Sequence, residues 1–181
     1  RSEDFGDSWS LAPITSNYGF SSARNLAEIS LADPNIAWAG TNMSAAGKLH
    51  VSKDAGKTFT ATVNYTGATM GRVTGIATHP YNKNEAFALF SIANGPKILR
   101  TMDLGQTWTD ISGFNGNVDN SSNGFPDVAT YSLLVMPTDT NEIWAGTEIG
   151  VFRSTDNGAT WAYANNGLPA VSVWELKVVD N

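Results

Sequence analysis

One eight-residue pattern occurs four times in this chain and constrains its fold more than any other feature. It reads Ser/Thr-x-Asp-x-Gly-x-Ser/Thr-aromatic and runs over 2–9, 52–59, 101–108 and 154–161. The carboxylates Asp4, Asp54, Asp103 and Asp156 stand 50, 49 and 53 residues apart. Each box also carries a glycine (Gly6, Gly56, Gly105, Gly158) and a closing aromatic (Trp9, Phe59, Trp108, Trp161). A glycine two residues after an aspartate suits a tight hairpin turn, because it takes positive φ without a Cβ clash. The aspartate sits where it can accept turn N–H groups and the following Ser or Thr hydroxyl. The aromatic opens the next strand and turns inward to pack. One carboxylate per turn is too few to hold a metal ion, so each Asp is read as a fold-stabilising acceptor, and no metal or other cofactor is expected.

Aligning the segments between boxes predicts four strands per unit. First strands run over 27–33, 73–79 and 131–136, each ending at a proline. Second strands cover 36–41, 86–90 and 143–147, third strands 49–51, 98–100 and 151–153, and fourth strands 58–63, 107–111 and 160–164. β-Branched and aromatic residues fill these runs, Gly, Pro and Asn punctuate them, and no segment has a helical apolar period. A unit of about fifty residues with four short strands is a propeller blade, since solenoid repeats are shorter or helical. The predicted fold class is therefore all-β, a β-propeller segment of about three blades at 23–63, 71–112 and 128–165. Residues 1–12 read as the end of a preceding blade and 171–181 as the first strand of a following one. Three blades are fewer than the roughly four to eight of propellers. Open flanks would leave apolar faces and strand edges unpaired. The expectation is a larger ring, completed by other blades of the same protein or by other chains, and Arg1 in place of Met points to a processed or trimmed chain. A self-sufficient three-blade domain and a symmetric assembly of arcs are the alternatives.

The boxes resemble those of the Asp-box (bacterial neuraminidase) repeat superfamily, and the long repeat is most similar to its sortilin-like propellers. Ile143-Trp144-Ala145-Gly146-Thr147, followed by Gly150-Val151-Phe152-Arg153 and Gly167-Leu168-Pro169, looks like secreted bacterial members. That resemblance implies a secreted or cell-surface protein of bacterial type that binds peptides or protein partners without catalysis. Other members are xyloglucan-type endoglucanases, and Val73-Thr74-Gly75-Ile76 leading to His79-Pro80 is similar to a segment of those. The alternative reading is thus part of a glycoside hydrolase acting on a polysaccharide, with its active site completed outside this chain. A third reading is a purely structural subunit that assembles through its blade edges.

Composition narrows the partners. The formal charge is −6 with pI near 4.7, the wrong sign for nucleic acid or an anionic membrane surface. Absence of cysteine excludes disulfides and thiolate metal sites. No apolar run approaches the ~20 residues of a membrane-spanning helix, so membrane insertion is not expected.

In a propeller the boxes share one end with the first-to-second-strand loops, and ligand sites are built at the other end. There the long 113–127 loop offers Phe114, Asp119, Phe125 and Asp127, with Arg72 nearby, as candidate binding residues; a solvated Asn/Gly/Ser turn is the competing reading. For hydrolysis the candidate carboxylates are Asp127, Glu148, Glu28 and Asp119, with Glu175 a further one. An inverting mechanism needs two of them about 6.5–9.5 Å apart, one with a raised pKa. A sialidase would need three converging arginines. Arg1, Arg100 and Arg153 share one repeat position on different blades, which leaves only Arg24 and Arg72 near first strands. His50 and His79 lack zinc-site spacing.

Overall fold

The computed structural model describes residues 1–14, 18, 26–45, 47–165 and 167–179. The described residues form twelve strands and no helix. The first sheet comprises β1 (Leu26–Ile29), β2 (Ala37–Gly40), β3 (His50–Ser52) and β4 (Thr60–Ala61). The second comprises β5 (Val73–Thr78), β6 (Ala86–Phe90), β7 (Ile98–Thr101) and β8 (Thr109–Asp110). The third comprises β9 (Thr130–Val135), β10 (Ile143–Thr147), β11 (Gly150–Ser154) and β12 (Ala162–Tyr163). Each is an antiparallel meander with strands in sequence order, β1, β5 and β9 forming one edge. β5 runs beside both β1 and β9, so these first strands gather at the centre of the arc. The chain is a partial β-propeller.

Fourth strands are only two residues long, shorter than the spacing predicts. The residues just before them are engaged in the box turn, as in the Thr58 N–H bond to Asp54 (2.9 Å). Residues 1–12 contain the box turn but no strand. Arg1 and Ser10 close the turn, with Ser10 N–H donating to the Arg1 carbonyl at 2.8 Å. Residues 171–179 are likewise not in a sheet, although the Val173 N–H donates to the Thr147 carbonyl at 2.9 Å.

Two apolar clusters lie between the sheets, and β6 shows how. Ala86, Ala88 and Phe90 join the cluster shared with the first sheet, whereas Phe87 and Leu89 join that shared with the third. The period of two along a strand dictates this alternation. All five residues of β6 are buried. Full burial of each larger side chain contributes about 1.5–3 kcal/mol. Trp38 meets Trp108 edge to face, ring centroids 6.2 Å apart, and Phe125 meets Trp161 in the same manner at 5.1 Å.

Polar stitches set the blade spacing. The indole N–H groups of Trp108 and Trp161 each donate to a carbonyl of the preceding blade, Val63 and Ile111, at 2.8 Å. Val63 N–H donates back to the Gly105 carbonyl, also at 2.8 Å. Gly105 has φ +81°, and a Cβ there would lie 2.4 Å from Thr62 Cγ2. Nearer the centre, a Cβ on Gly75 would lie 2.6 Å from the Tyr131 carbonyl oxygen, so glycine lets β5 approach β9.

Candidate functional site

The box carboxylates are fully occupied by their own turns. Asp54 Oδ1 accepts from the Ser52 hydroxyl (2.8 Å) and Thr58 N–H (2.9 Å), while Oδ2 accepts from the Thr58 hydroxyl (2.7 Å). Asp4, Asp103 and Asp156 repeat this arrangement with Ser8, Thr107 and Thr160. Donation from the Ser8 and Thr160 hydroxyls, then from the same residues' N–H groups, holds the Asp4 and Asp156 carboxyls at about 2. Thr58 lowers Asp54 in the same way. For Asp103 burial pushes upward, and the bonds from Thr107 and Thr101 outweigh it. The residue before each glycine is also left-handed: Phe5, Ala55, Leu104 and Asn157 have φ of 56°, 58°, 59° and 60°. Of the closing aromatics, Trp108 and Trp161 are buried, Phe59 is half-buried and Trp9 is 76% exposed.

The 113–127 loop is braced, and it is not confined to the end remote from the boxes, since Asn123 donates to the carbonyl of the box glycine Gly158 at 3.4 Å. Asp110 accepts from Ser112 N–H and Asn115 N–H at 2.7 Å, Ser122 N–H donates to the Gly113 carbonyl, and Trp161 N–H to that of Asn123. Phe114 and Phe125 are each 3% exposed, which corrects their reading as ligand-facing rings. Phe125 packs against Phe152 and Trp161, and Phe114 lies under the Lys97 ammonium at 4.7 Å. Lys97 is fully buried and ion-paired with Asp127, and it also donates to the Ile92 and Gly95 carbonyls. Asp127 further accepts from Asn94 N–H at 3.0 Å. Glu148 accepts from Ala129 N–H at 3.2 Å. Both carboxylates therefore serve the loops that carry them. Asp119 is exposed, and so is Arg72, whose backbone bridges to Asn42. Arg24 lies outside the described residues.

Glu28 differs from these. It stands on β1 in a groove of about 890 Å³ along the centre of the arc, walled by β1, β5, β9 and residues 174–178. Burial raises its carboxyl above its ordinary value, and among the described residues no hydrogen bond or neighbouring charge acts on it. In the lining of the same groove Trp174 stacks on Tyr131, centroids 4.0 Å apart and planes 17° from parallel, and remains 57% exposed. Tyr81 also lines it and donates to the Pro137 carbonyl (3.0 Å). Glu175 lines it too, paired with Lys177 at 2.8 Å on the surface. Sequence reasoning names Glu28 and Glu175 but misses Tyr131, Tyr81 and Lys97. The alternation along β9 was the available signal for Tyr131. Nothing local marked Lys97.

Three antiparallel sheets around a common centre place the chain among β-propellers, and comparison with solved structures agrees. It is similar to a GH74 xyloglucanase from Xanthomonas campestris at 22% identity and TM-score 0.54, over 80% of this chain and 23% of that one. An ancestral GH74 enzyme matches at 19% identity and TM-score 0.54, over 78% of this chain and 18% of that one. YCF48 bound to D1 peptide matches at 16% identity and TM-score 0.52, over 84% of this chain and 48% of that one. Likeness at these identities shows the fold, and the chain spans less than half of each of the three. No protein-family model matches the chain, and no curated protein matches it either.

Proposed function

We propose that this chain is a sector of an Asp-box propeller, of sortilin-like type, from a secreted or cell-surface bacterial protein, and that it recognises a peptide or protein segment without catalysis. Recurrence of the box every half-hundred residues, with its Asp held by four donors of the same turn, supports the repeat type. The observation that carries the recognition reading is the central groove, bounded by three strands, β1, β5 and β9, that are each a sheet edge. Edge strands have backbone donors and acceptors to offer an extended chain. A propeller of similar fold, YCF48, is recorded with a bound peptide, in keeping with this reading. The low-lysine, Asn-, Ser- and Thr-rich composition supports the extracellular setting.

The glycoside hydrolase reading draws on two features, the similarity in fold to GH74 enzymes and a Glu28 carboxyl whose pKa burial raises, in a groove that the exposed Trp174 also lines. Against it, Asp127 and Glu148 are engaged by donors of the chain itself. The deciding assay is release of reducing sugar from xyloglucan and a panel of β-glucans. No turnover is expected; turnover abolished by Glu28→Gln, Asp127→Asn or Glu148→Gln would replace recognition with hydrolysis.

A further inference from the structure

We infer that the central groove is a site for a basic side chain of an extended peptide, with Glu28 as counter-ion and the free face of Trp174 as its aromatic platform; this rests on the peptide-recognition reading above. Charge complementarity carries the choice of occupant. Glu28 is a half-buried carboxylate in this groove on which no hydrogen bond or neighbouring charge of the described residues acts, and desolvation of an uncompensated carboxylate is costly. A guanidinium or ammonium entering the groove relieves that cost, whereas a carboxylate or phosphate would add to it. The other ionisable groups along the groove do not neutralise Glu28. Lys177 is 71% exposed and paired with Glu175, and the Tyr81 hydroxyl donates to the Pro137 carbonyl.

The aromatic half of the site is built from two residues far apart in the chain. Tyr131 backs one face of the Trp174 indole, which fixes the ring and leaves its other side to solvent. A cation over an indole face is attracted by the ring quadrupole, most strongly for tryptophan. The edges of β1, β5 and β9 add main-chain partners along the groove, so an extended backbone can be held in register while its basic side chain reaches Glu28. An overall charge of −6 would steer such a ligand toward the protein.

The test is calorimetric titration of the chain with an acetylated, amidated hexapeptide of alternating valine and arginine. The same peptide with citrulline in place of arginine and a xyloglucan heptasaccharide serve as the other arms. The arginine peptide is expected to bind about tenfold more tightly than its citrulline counterpart. Glu28→Gln should abolish that preference. Trp174→Ala, at an exposed position where folding is not at stake, should weaken the arginine peptide severalfold. Equal binding of the two peptides, or a preference that survives Glu28→Gln, would overturn the cation site and leave peptide recognition standing. Failure of both peptides to bind, with or without binding of the heptasaccharide, would overturn peptide recognition and the cation site together.

Discussion

Replacing box glycines by alanine separates backbone strain from blade packing, because the chain contains its own control. Gly56 and Gly105 have nearly the same left-handed φ, +79° and +81°. A Cβ on Gly56 meets nothing within 4 Å, whereas one on Gly105 lies 2.4 Å from Thr62 Cγ2 and 2.7 Å from Thr62 Cβ. Gly158 is intermediate, with Ile111 Cδ1 at 3.0 Å. Gly56→Ala should therefore cost only the left-handed penalty, about 1 kcal/mol after the reduced entropy of the unfolded chain is allowed for. Gly105→Ala should add an overpacking cost of roughly 1–3 kcal/mol. Thr62 cannot swing away freely, since it is buried and its hydroxyl donates to the Leu49 carbonyl at 3.1 Å. Urea unfolding followed by circular dichroism would measure all three, with the order Gly56→Ala, Gly158→Ala, Gly105→Ala from mildest to most severe. Equal losses for Gly56→Ala and Gly105→Ala would refute the claim that the box glycine sets the distance between blades.

Other positions give independent expectations. Ala55→Asn should stabilise by about 0.5–1 kcal/mol, read as a higher melting temperature, because Asn tolerates the left-handed conformation that Asn157 already adopts in the equivalent place. Trp161→Phe removes the 2.8 Å bond to the Ile111 carbonyl and leaves that acceptor at a buried seam, which should cost about 1–3 kcal/mol in the same unfolding assay. The Asp4 and Asp156 carboxyls, lowered from 3.8 to about 2, give stability that is present above pH 4 and lost as pH falls toward 2. Thermal melts across that range should show the loss, with a shallower slope in Asp156→Asn.

What the sequence reveals follows from how local each interaction is. The box is a closed circuit within eight residues, so Asp54, Gly56 and Thr58 announce their turn without reference to the remaining chain. Strand order followed from those turns. The left-handed Ala55 and Leu104 carried no such signal, because neither residue type favours that conformation. The 113–127 loop reads in sequence as a candidate binding loop or a solvated turn, because nothing within it shows what its polar side chains bond to. Its Ser121, Ser122 and Asn123 side chains instead bond back to the carbonyls of Ser112, Gly113 and Ile111, and Phe114 and Phe125 turn inward. Lys97 was invisible for a related reason. A single lysine on a strand is ordinarily solvated, and only the returning loop brings Asp127 onto it. The groove depends on the angle between sheets, which no stretch of sequence encodes alone.

The alternation along β6 has an evolutionary corollary. Odd and even side chains serve different neighbours, so each sheet is a two-sided tile whose left and right surfaces can change independently. A gene duplication that copies one whole tile carries a matching pair of surfaces with it, and the copy can slot in beside its parent. A cut made inside a tile separates the halves of both seams. Growth and loss by whole units is therefore the path of least damage for a lineage built on this plan.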